Sequence, residues 1–193
     1  MEGLGMGEGC CPGSKPKLSI AHLVRERCGW LLIFFVGLVL AAIVVEIFES
    51  TLKKNVQLSY FVPLLIGHGG NTGSQSNATV IRSLAMGHLR PMDCWRVALK
   101  EGAAGTVMGA LLSLLILTFS RLWESISSDV ALTVAISLPI VSLWANVLGG
   151  LLPLISARCG LNPAVTSAPL MTTIVDSSGL VIYFYVAKLV MGL

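Results

Sequence analysis

Charged residues are scarce in this sequence, and that scarcity excludes most water-soluble folds. Only 12% of the 193 residues are Asp, Glu, Lys or Arg, while 54% are hydrophobic and the mean hydropathy is +0.82. Such a chain cannot cover a globular surface with polar groups, so we expect an all-α integral membrane protein. The net charge of +3 gives no reason to expect a nucleic acid partner.

Paired cysteines and histidine clusters are also lacking, which argues against disulfide frameworks and soft-metal sites. The cysteines are odd in number and show no CxxC spacing, so we expect reduced thiols. They are Cys10, Cys11, Cys28, Cys94 and Cys159. There is no HExxH motif, no Ser-His pairing and only one acid at the middle of an apolar run, so the sequence does not predict an enzyme.

The amino terminus has no apolar run of the kind found in signal peptides. Residues 1–17 are rich in glycine and poor in acidic residues, and residues 1–28 are expected to form a disordered cytoplasmic tail. A signal peptide is therefore not predicted.

Long apolar runs recur five times between residues 29 and 193, and they predict a five-helix transmembrane domain. The predicted spans are residues 29–48, 58–86, 97–119, 130–155 and 164–190, the last with a kink at Pro169. Small residues recur at helix-packing spacing in the third and fourth spans, which indicates a tight bundle. They are Gly102, Gly105, Gly109, Ala145, Gly149 and Gly150.

Lysine and arginine are unevenly divided between the two sides of this arrangement. Of the 13 such residues, nine lie on the side of the amino terminus and four on the other. The positive-inside rule therefore predicts that the amino terminus faces the cytoplasm or an equivalent compartment. Five spans then place the carboxyl terminus on the opposite side.

A cluster of glycines and amides, GHGGNTGSQSN, lies inside the second span at residues 67–77. It predicts a break in the helix, which membranes tolerate only where the backbone is buried in protein or lines a wet cavity. Gly70, Gly73 and Asn77 would then share one face and offer uncharged oxygen ligands. A glycine hinge whose amides satisfy each other remains the alternative. For His68, a structural hydrogen-bonded imidazole is favoured over a ligand or a pH sensor.

The fifth span carries a polar stripe at helical spacing, formed by Thr172, Asp176, Gly179 and Tyr183. A carboxylate at the middle of a span costs at least ~2.5 kcal/mol, so Asp176 should face water or a partner. A cation or proton site is favoured there over a structural salt bridge. Glu46 is expected to be a solvated interface residue.

One carboxylate with carbonyl and amide oxygens is hard-ligand chemistry, suited to Mg²⁺ or Ca²⁺. Mg²⁺ sheds water reluctantly, so a narrow path with one acid favours a largely hydrated Mg²⁺. A single acid cannot neutralise a divalent ion, and five helices seldom enclose a pore. A homodimer that contributes Asp176 twice on its axis answers both objections.

Three motifs also point to a known family: GGNTGSQSNATVIRSLAMG (69–87), NVLGGLLPL (146–154) and LNPAVTSAPLMTTIVDSSGLVIYF (161–184). They closely resemble the membrane domain of the MgtE magnesium channels. The resemblance implies a homodimer that conducts Mg²⁺ along its two-fold axis, with Asp176 as the central selectivity acid. It implies second-helix pore positions at Gly70, Gly73 and Asn77, with Thr172 one turn before the acid. Secondary pore candidates are Asn71, Thr173, His68 and Glu101, although Glu101 also suits an anchor of the third span or a pair with Arg82.

The resemblance covers the membrane domain alone. MgtE channels carry an amino-terminal domain and paired CBS domains before the pore, whereas about 28 residues precede the first span here. Residues 18–27 are the segment left to act as the connecting helix, and gating would need a separate regulatory subunit or a longer chain. Related animal solute carriers join two such units, so one unit favours a homodimer. An ion-coupled exchanger and a non-conducting regulatory subunit are the alternatives to a channel.

Overall fold

The computed structural model describes residues 20–123 and 125–192, and within these ranges the chain is helical with no strand. The helices are α1 (Ile20–Ile47), α2 (Glu49–Lys54), α3 (Gln57–Ala85), α4 (Cys94–Leu122), α5 (Ser128–Arg158) and α6 (Pro163–Met191). The chain divides into two units, Met1–Ile33 and Phe34–Leu193, and the contacts between helices described below all belong to the second. Of the expected tail of residues 1–28, residues 1–19 lie outside the described residues, as do Cys10 and Cys11, whereas residues 20–28 belong to α1.

Three of the described helices, α4, α5 and α6, are long and apolar enough to cross a membrane. In α1 the apolar part is shorter and covers Leu31–Ile47. Helix α3 has 29 residues but is diluted by its glycines, amides and hydroxyls. The prediction of a helical membrane protein is therefore confirmed at this coarser level, while the count of five spans stays a prediction.

The predicted break in the second span is wrong. Helix α3 continues without interruption from Gln57 to Ala85, and its glycines keep helical dihedral angles. The described glycines with positive φ lie after helices, at Gly87, Gly160 and Gly192. The low helix propensity of glycine is here outweighed by close packing of α3 against neighbouring helices, and an unbroken helix keeps every backbone bond satisfied.

Local sequence explains where α5 and α6 begin. The Ser127 hydroxyl accepts a hydrogen bond from Val130 N at 3.4 Å, which caps α5. The Asn162 side chain accepts one from Ala164 N at 3.0 Å, and Pro163 occupies the first turn of α6. Helix α6 then continues through Pro169, where a kink was expected. Between the first and second predicted spans, the chain forms the short helix α2.

Helix α5 is the centre of the bundle because small residues let α3 and α4 approach it closely. A methyl group built on Gly105 would lie 2.5 Å from Ser142 O, and one on Gly109 would lie 2.5 Å from Pro139 Cα. On the α3 side, a methyl group on Gly149 would overlap the carbonyl of Gly73. The predicted packing role of these small residues is confirmed.

An aromatic cluster closes the bundle at the end of α6. Phe48 stacks on Phe184 with ring centroids 4.9 Å apart, and Lys188 Nζ lies 4.9 Å from the centroid of Phe48. The Tyr183 hydroxyl donates to Leu58 O at 2.9 Å. Tyr183 therefore acts as a buried link between α3 and α6 at this end of the predicted polar stripe.

Candidate functional site

Helices α3 and α6 pack face to face at the two motifs that the sequence singles out. A methyl group built on Gly69 would lie 2.8 Å from Val175 Cγ1, and one on Gly70 would lie 3.9 Å from Thr172 Cγ2. The structure thus brings Gly70 and Thr172, two predicted site residues, next to each other. Asp176 lies one helical turn beyond Thr172 on the same face of α6.

The Asp176 side chain is half-buried, and its carboxylate forms no hydrogen bond or ion pair with any described residue. The nearest helix positions offer hydroxyls, but these donate to backbone oxygens of their own segment. A carboxylate without a partner in an apolar helix needs water, a cation or a second chain. This is the electrostatic feature that distinguishes the α6 face.

The hydroxyls of Thr172 and Thr173 both donate to Pro169 O at 2.9 Å. Each hydroxyl oxygen therefore keeps its lone pairs free for a cation or a water molecule. The two residues point in different directions, because Thr172 contacts Gly70 of α3 and Thr173 packs onto Gly37 of α1. The Ser177 hydroxyl oxygen also lies 3.2 Å from Gly37 O, so Thr173 belongs to the contact between α1 and α6.

Asn77 lies at the contact between α3 and the start of α6 and is only 1% exposed. Ser167 Oγ lies 3.2 Å from Asn77 Oδ1, and it also donates to Pro163 O at 2.5 Å. The other polar atom of the amide, Nδ2, is buried without a partner among the described residues. A hydroxyl has one proton, so with this donation to Pro163 O the contact with Oδ1 carries no hydrogen, and at least one end of the amide stays unsatisfied in either orientation.

Gly73 is part of the helix contact itself. A methyl group on Gly73 would lie 2.5 Å from Met171 Sδ and 2.9 Å from Ala145 O. The residue is buried between α5 and α6, while Gly70, one turn earlier, is half-exposed. The two glycines on the predicted face therefore differ in accessibility, and Gly70 lies on the open side.

His68 belongs to a hydrogen-bonded seam between α3 and α5. Its Nε2 lies 2.6 Å from Ser142 Oγ, and the Ser142 hydroxyl donates to Leu138 O at 2.6 Å. Because the serine proton is used in that second bond, His68 Nε2 carries the hydrogen and donates to Ser142. The interpretation of His68 as a structural imidazole agrees with this geometry.

The same seam contains residues that the sequence analysis did not single out. Asn146 Nδ2 donates to Thr72 Oγ1 and to Ser142 O, both at 2.8 Å, and Ser76 Oγ donates to Asn146 O at 3.0 Å. A signal was present in the sequence, because Ser142 and Asn146 are polar residues four apart in an apolar span. Their partners on α3 could not be read from spacing alone.

The remaining predicted residues lie away from the contact of α3 and α6. Asn71 is exposed, and it lines an apolar groove of about 380 Å³ beside His68. Glu101 packs against α5, with its Cγ 3.1 Å from a methyl group built on Gly150, and forms no ion pair with Arg82. Glu46 is exposed, and its interface role stays a prediction.

The described residues contain no group of three or more His, Cys, Asp or Glu side chains that could hold a metal ion. One chain thus offers a single carboxylate, at Asp176, beside neutral hydroxyl and backbone oxygens. Such a set suits a hard cation that keeps much of its water, and it does not suit a soft metal. The described cysteines, Cys28, Cys94 and Cys159, are all unpaired.

Comparison with known proteins adds an independent finding. The model of the MgtE family, described as divalent cation transporter, matches residues 62–186. The magnesium transporter MgtE of Thermus thermophilus is 38% identical over 165 residues, which are 86% of this chain and 36% of that protein. The proteins of the same name from Bacillus subtilis and Enterococcus faecalis are 35% and 30% identical over 163 and 167 residues. These cover 84% and 86% of this chain, which spans 36% of each relative.

Proposed function

Because the chain belongs to the MgtE family of divalent cation transporters, we propose that it moves Mg²⁺ across a membrane along the open side of the contact of α3 and α6. The observation that carries this proposal is the pairing of Gly70 with Thr172 beside Asp176, which has no described partner. All three positions lie inside the stretch that the family model matches. The relatives are named as magnesium transporters. We assign Mg²⁺ as the ion moved by this chain because of that likeness and because its oxygen ligands suit this cation.

The proposal takes five helices as membrane spans, with α1 and α3 added to α4, α5 and α6. Helix α3 is as long as α4, at 29 residues, and it packs against both α5 and α6. Its polar residues have a role in such a span, because a path for a hydrated ion needs oxygen ligands that lipid does not supply. The amino terminus then faces the cytoplasm by the distribution of Lys and Arg.

Within the path, Asp176 supplies the charge and Thr172 a neutral oxygen. Carbonyl oxygens near Gly70 are further neutral ligands on the open side. Asn77 and Gly73 are buried in the packed part of the contact, where they hold α3 in place beside the path. Hydrated Mg²⁺ exchanges water slowly, so ligands that bind through its water shell allow passage where direct coordination would trap the ion.

A homodimer completes the site in this proposal. One chain provides one carboxylate at this level, and two copies around a two-fold axis provide the two charges that neutralise a divalent cation. The membrane potential then drives entry, at about 4.6 kcal/mol per 100 mV for two charges, from ~2.3 per charge. No covalent chemistry is required, and the protein acts as a channel.

The test is Mg²⁺ uptake into liposomes that contain only the purified chain. We expect flux that rises with an inside-negative potential and needs no Na⁺ or H⁺ gradient. Flux that requires such a gradient would favour the ion-coupled exchanger and overturn the channel proposal. No flux from a folded, inserted chain would favour a non-conducting subunit.

A second arm tests the dimer by mixing wild type with Asp176→Asn before reconstitution. If two acids meet on the axis, an equal mixture leaves about a quarter of the dimers with both carboxylates, since random pairing of two copies gives this fraction. Flux should then fall well below half of the wild-type value. Flux of half the wild-type value would show that each chain conducts alone.

A further inference from the structure

A basic cavity lies where α3 turns into α4, apart from the contact of α3 and α6. Its volume is about 250 Å³. Arg96 and Lys100 of α4, His88 of the connecting turn, and Ser83 of α3 line it together with Glu101. We call this cavity the α3–α4 pocket, and it is not part of the proposed ion path.

The charged side chains that line the α3–α4 pocket do not form ion pairs with each other. Arg96 and Lys100 are exposed, and neither forms an ion pair with Glu101 or with another described residue. The two cations Arg96 and Lys100 and the carboxylate Glu101 together give a formal charge of +1 in the lining. The Ser83 hydroxyl donates to Thr79 O at 2.9 Å, so cation and imidazole groups are the available donors.

Two tryptophans indicate where the pocket lies along the membrane normal. Trp95 is the second residue of α4 and Trp123 follows its end, and both are exposed. A helix of 28 residues between them spans about 42 Å, which matches the distance between the two headgroup regions of a bilayer. Tryptophan prefers those levels, so Arg96, next to Trp95, lies among the lipid headgroups.

An apolar ridge runs beside the cations on α4. Trp95 and Leu99 are 76% and 56% exposed and lie four residues apart, and Arg96 and Lys100 form the adjacent row. Val80 and Val97 line the cavity behind the cations and are buried. A molecule held by the cations would therefore continue onto an apolar, lipid-facing surface.

We propose that the α3–α4 pocket binds the phosphate of a membrane phospholipid, with Arg96 and Lys100 as its ligands and the acyl chains along Trp95 and Leu99. A phosphodiester carries one negative charge, which matches the +1 lining. Inorganic phosphate and nucleotides carry more negative charge than a phosphodiester, and they have no acyl chains to contact the apolar ridge. Basic pockets between helices at the cytoplasmic headgroup level are suited to such lipids. The inference does not depend on Mg²⁺ transport.

The test measures thermal protection of the delipidated, purified chain in a neutral detergent. The probes are dioleoyl phosphatidylglycerol, dioleoylglycerol with the same tails, and inorganic phosphate. The variant is Arg96→Gln with Lys100→Gln, and the control removes the same charge from α2 with Lys53→Gln and Lys54→Gln. Lys100→Gln alone serves as the second variant if the pair fails to fold.

We expect protection by phosphatidylglycerol and none by dioleoylglycerol or inorganic phosphate. Affinity should fall about fivefold for the single variant and about thirtyfold for the pair, and stay unchanged in the control. Equal protection by inorganic phosphate would mean that the pocket binds a soluble anion and not a lipid. Equal protection by dioleoylglycerol, or an unchanged affinity in the pair, would overturn the site.

Discussion

Helix α3 carries polar side chains on two faces, one toward α5 and one toward α6. On the α5 face His68, Thr72 and Ser76 all find partners on Ser142 or Asn146. On the α6 face Asn77 has an unsatisfied amide nitrogen, and the Asp176 carboxylate of α6 has no described partner. Polar groups that satisfy each other hold helices together, whereas groups left unpaired in an apolar segment indicate a site completed by water, an ion or another chain.

Asp176→Asn gives the largest expected effect and tests the α6 face directly. The variant keeps the shape of the side chain and removes its charge, so we expect Mg²⁺ flux in liposomes to fall on the order of 100-fold, or ~2.7 kcal/mol in the barrier. Thermal stability should not fall, because no described interaction is lost. The control Asp129→Asn changes an exposed acid of α5 and should conduct normally. Normal flux in Asp176→Asn would mean that the unpaired carboxylate is not part of the path.

Gly149→Ala tests the α5 face through its packing. The added methyl group would overlap the carbonyl of Gly73, a backbone atom that cannot rotate away. We expect the free energy of unfolding to fall by about 1 to 3 kcal/mol, as measured by denaturation in detergent. Gly67→Ala is the matched control, since a methyl group there meets nothing within 4 Å. It should be neutral or stabilising by up to about 1 kcal/mol, because alanine favours helix. Equal stability of the two variants would contradict the close approach of α3 and α5.

Asn146→Leu removes the centre of the hydrogen-bonded seam. The substitution deletes the amide that donates to Thr72 Oγ1 and Ser142 O, and it puts an apolar side chain of similar size in its place. Interhelical hydrogen bonds in membranes contribute about 0.6 to 1.7 kcal/mol, so we expect a loss of unfolding free energy of about 1 kcal/mol. Flux per folded protein should stay close to that of wild type. A strong loss of flux at unchanged stability would move the functional site to the α5 face.

Much of this arrangement could be predicted from the sequence because it depends on local composition. Long apolar runs located α4, α5 and α6 to within a few residues, and recurrent glycine located the close contacts of α5. The predicted break in α3 is wrong because the low helix propensity of glycine is outweighed by tertiary packing, which local sequence does not show. The seam could not be read in advance, since His68 and Ser142 are 74 positions apart and only the fold brings them together. For Asp176, the sequence could show that an acid lies in an apolar helix but not that its neighbours leave it unpaired.

The substitutions Thr172→Val and Thr173→Val have the smallest expected effects, and they compare two neighbouring hydroxyls of α6. Both wild-type hydroxyls donate to Pro169 O at 2.9 Å, so each variant loses the same intrahelical bond. They differ in direction, because Thr172 contacts Gly70 of α3 and Thr173 packs on Gly37 of α1. We expect equal stability losses below about 1 kcal/mol and a two- to fivefold loss of Mg²⁺ flux only for Thr172→Val, since only that hydroxyl oxygen lies on the proposed path. An equal loss of flux in both variants would mean that the hydroxyls act through the geometry of α6 at Pro169. A loss confined to Thr173→Val would move the path to the contact between α1 and α6.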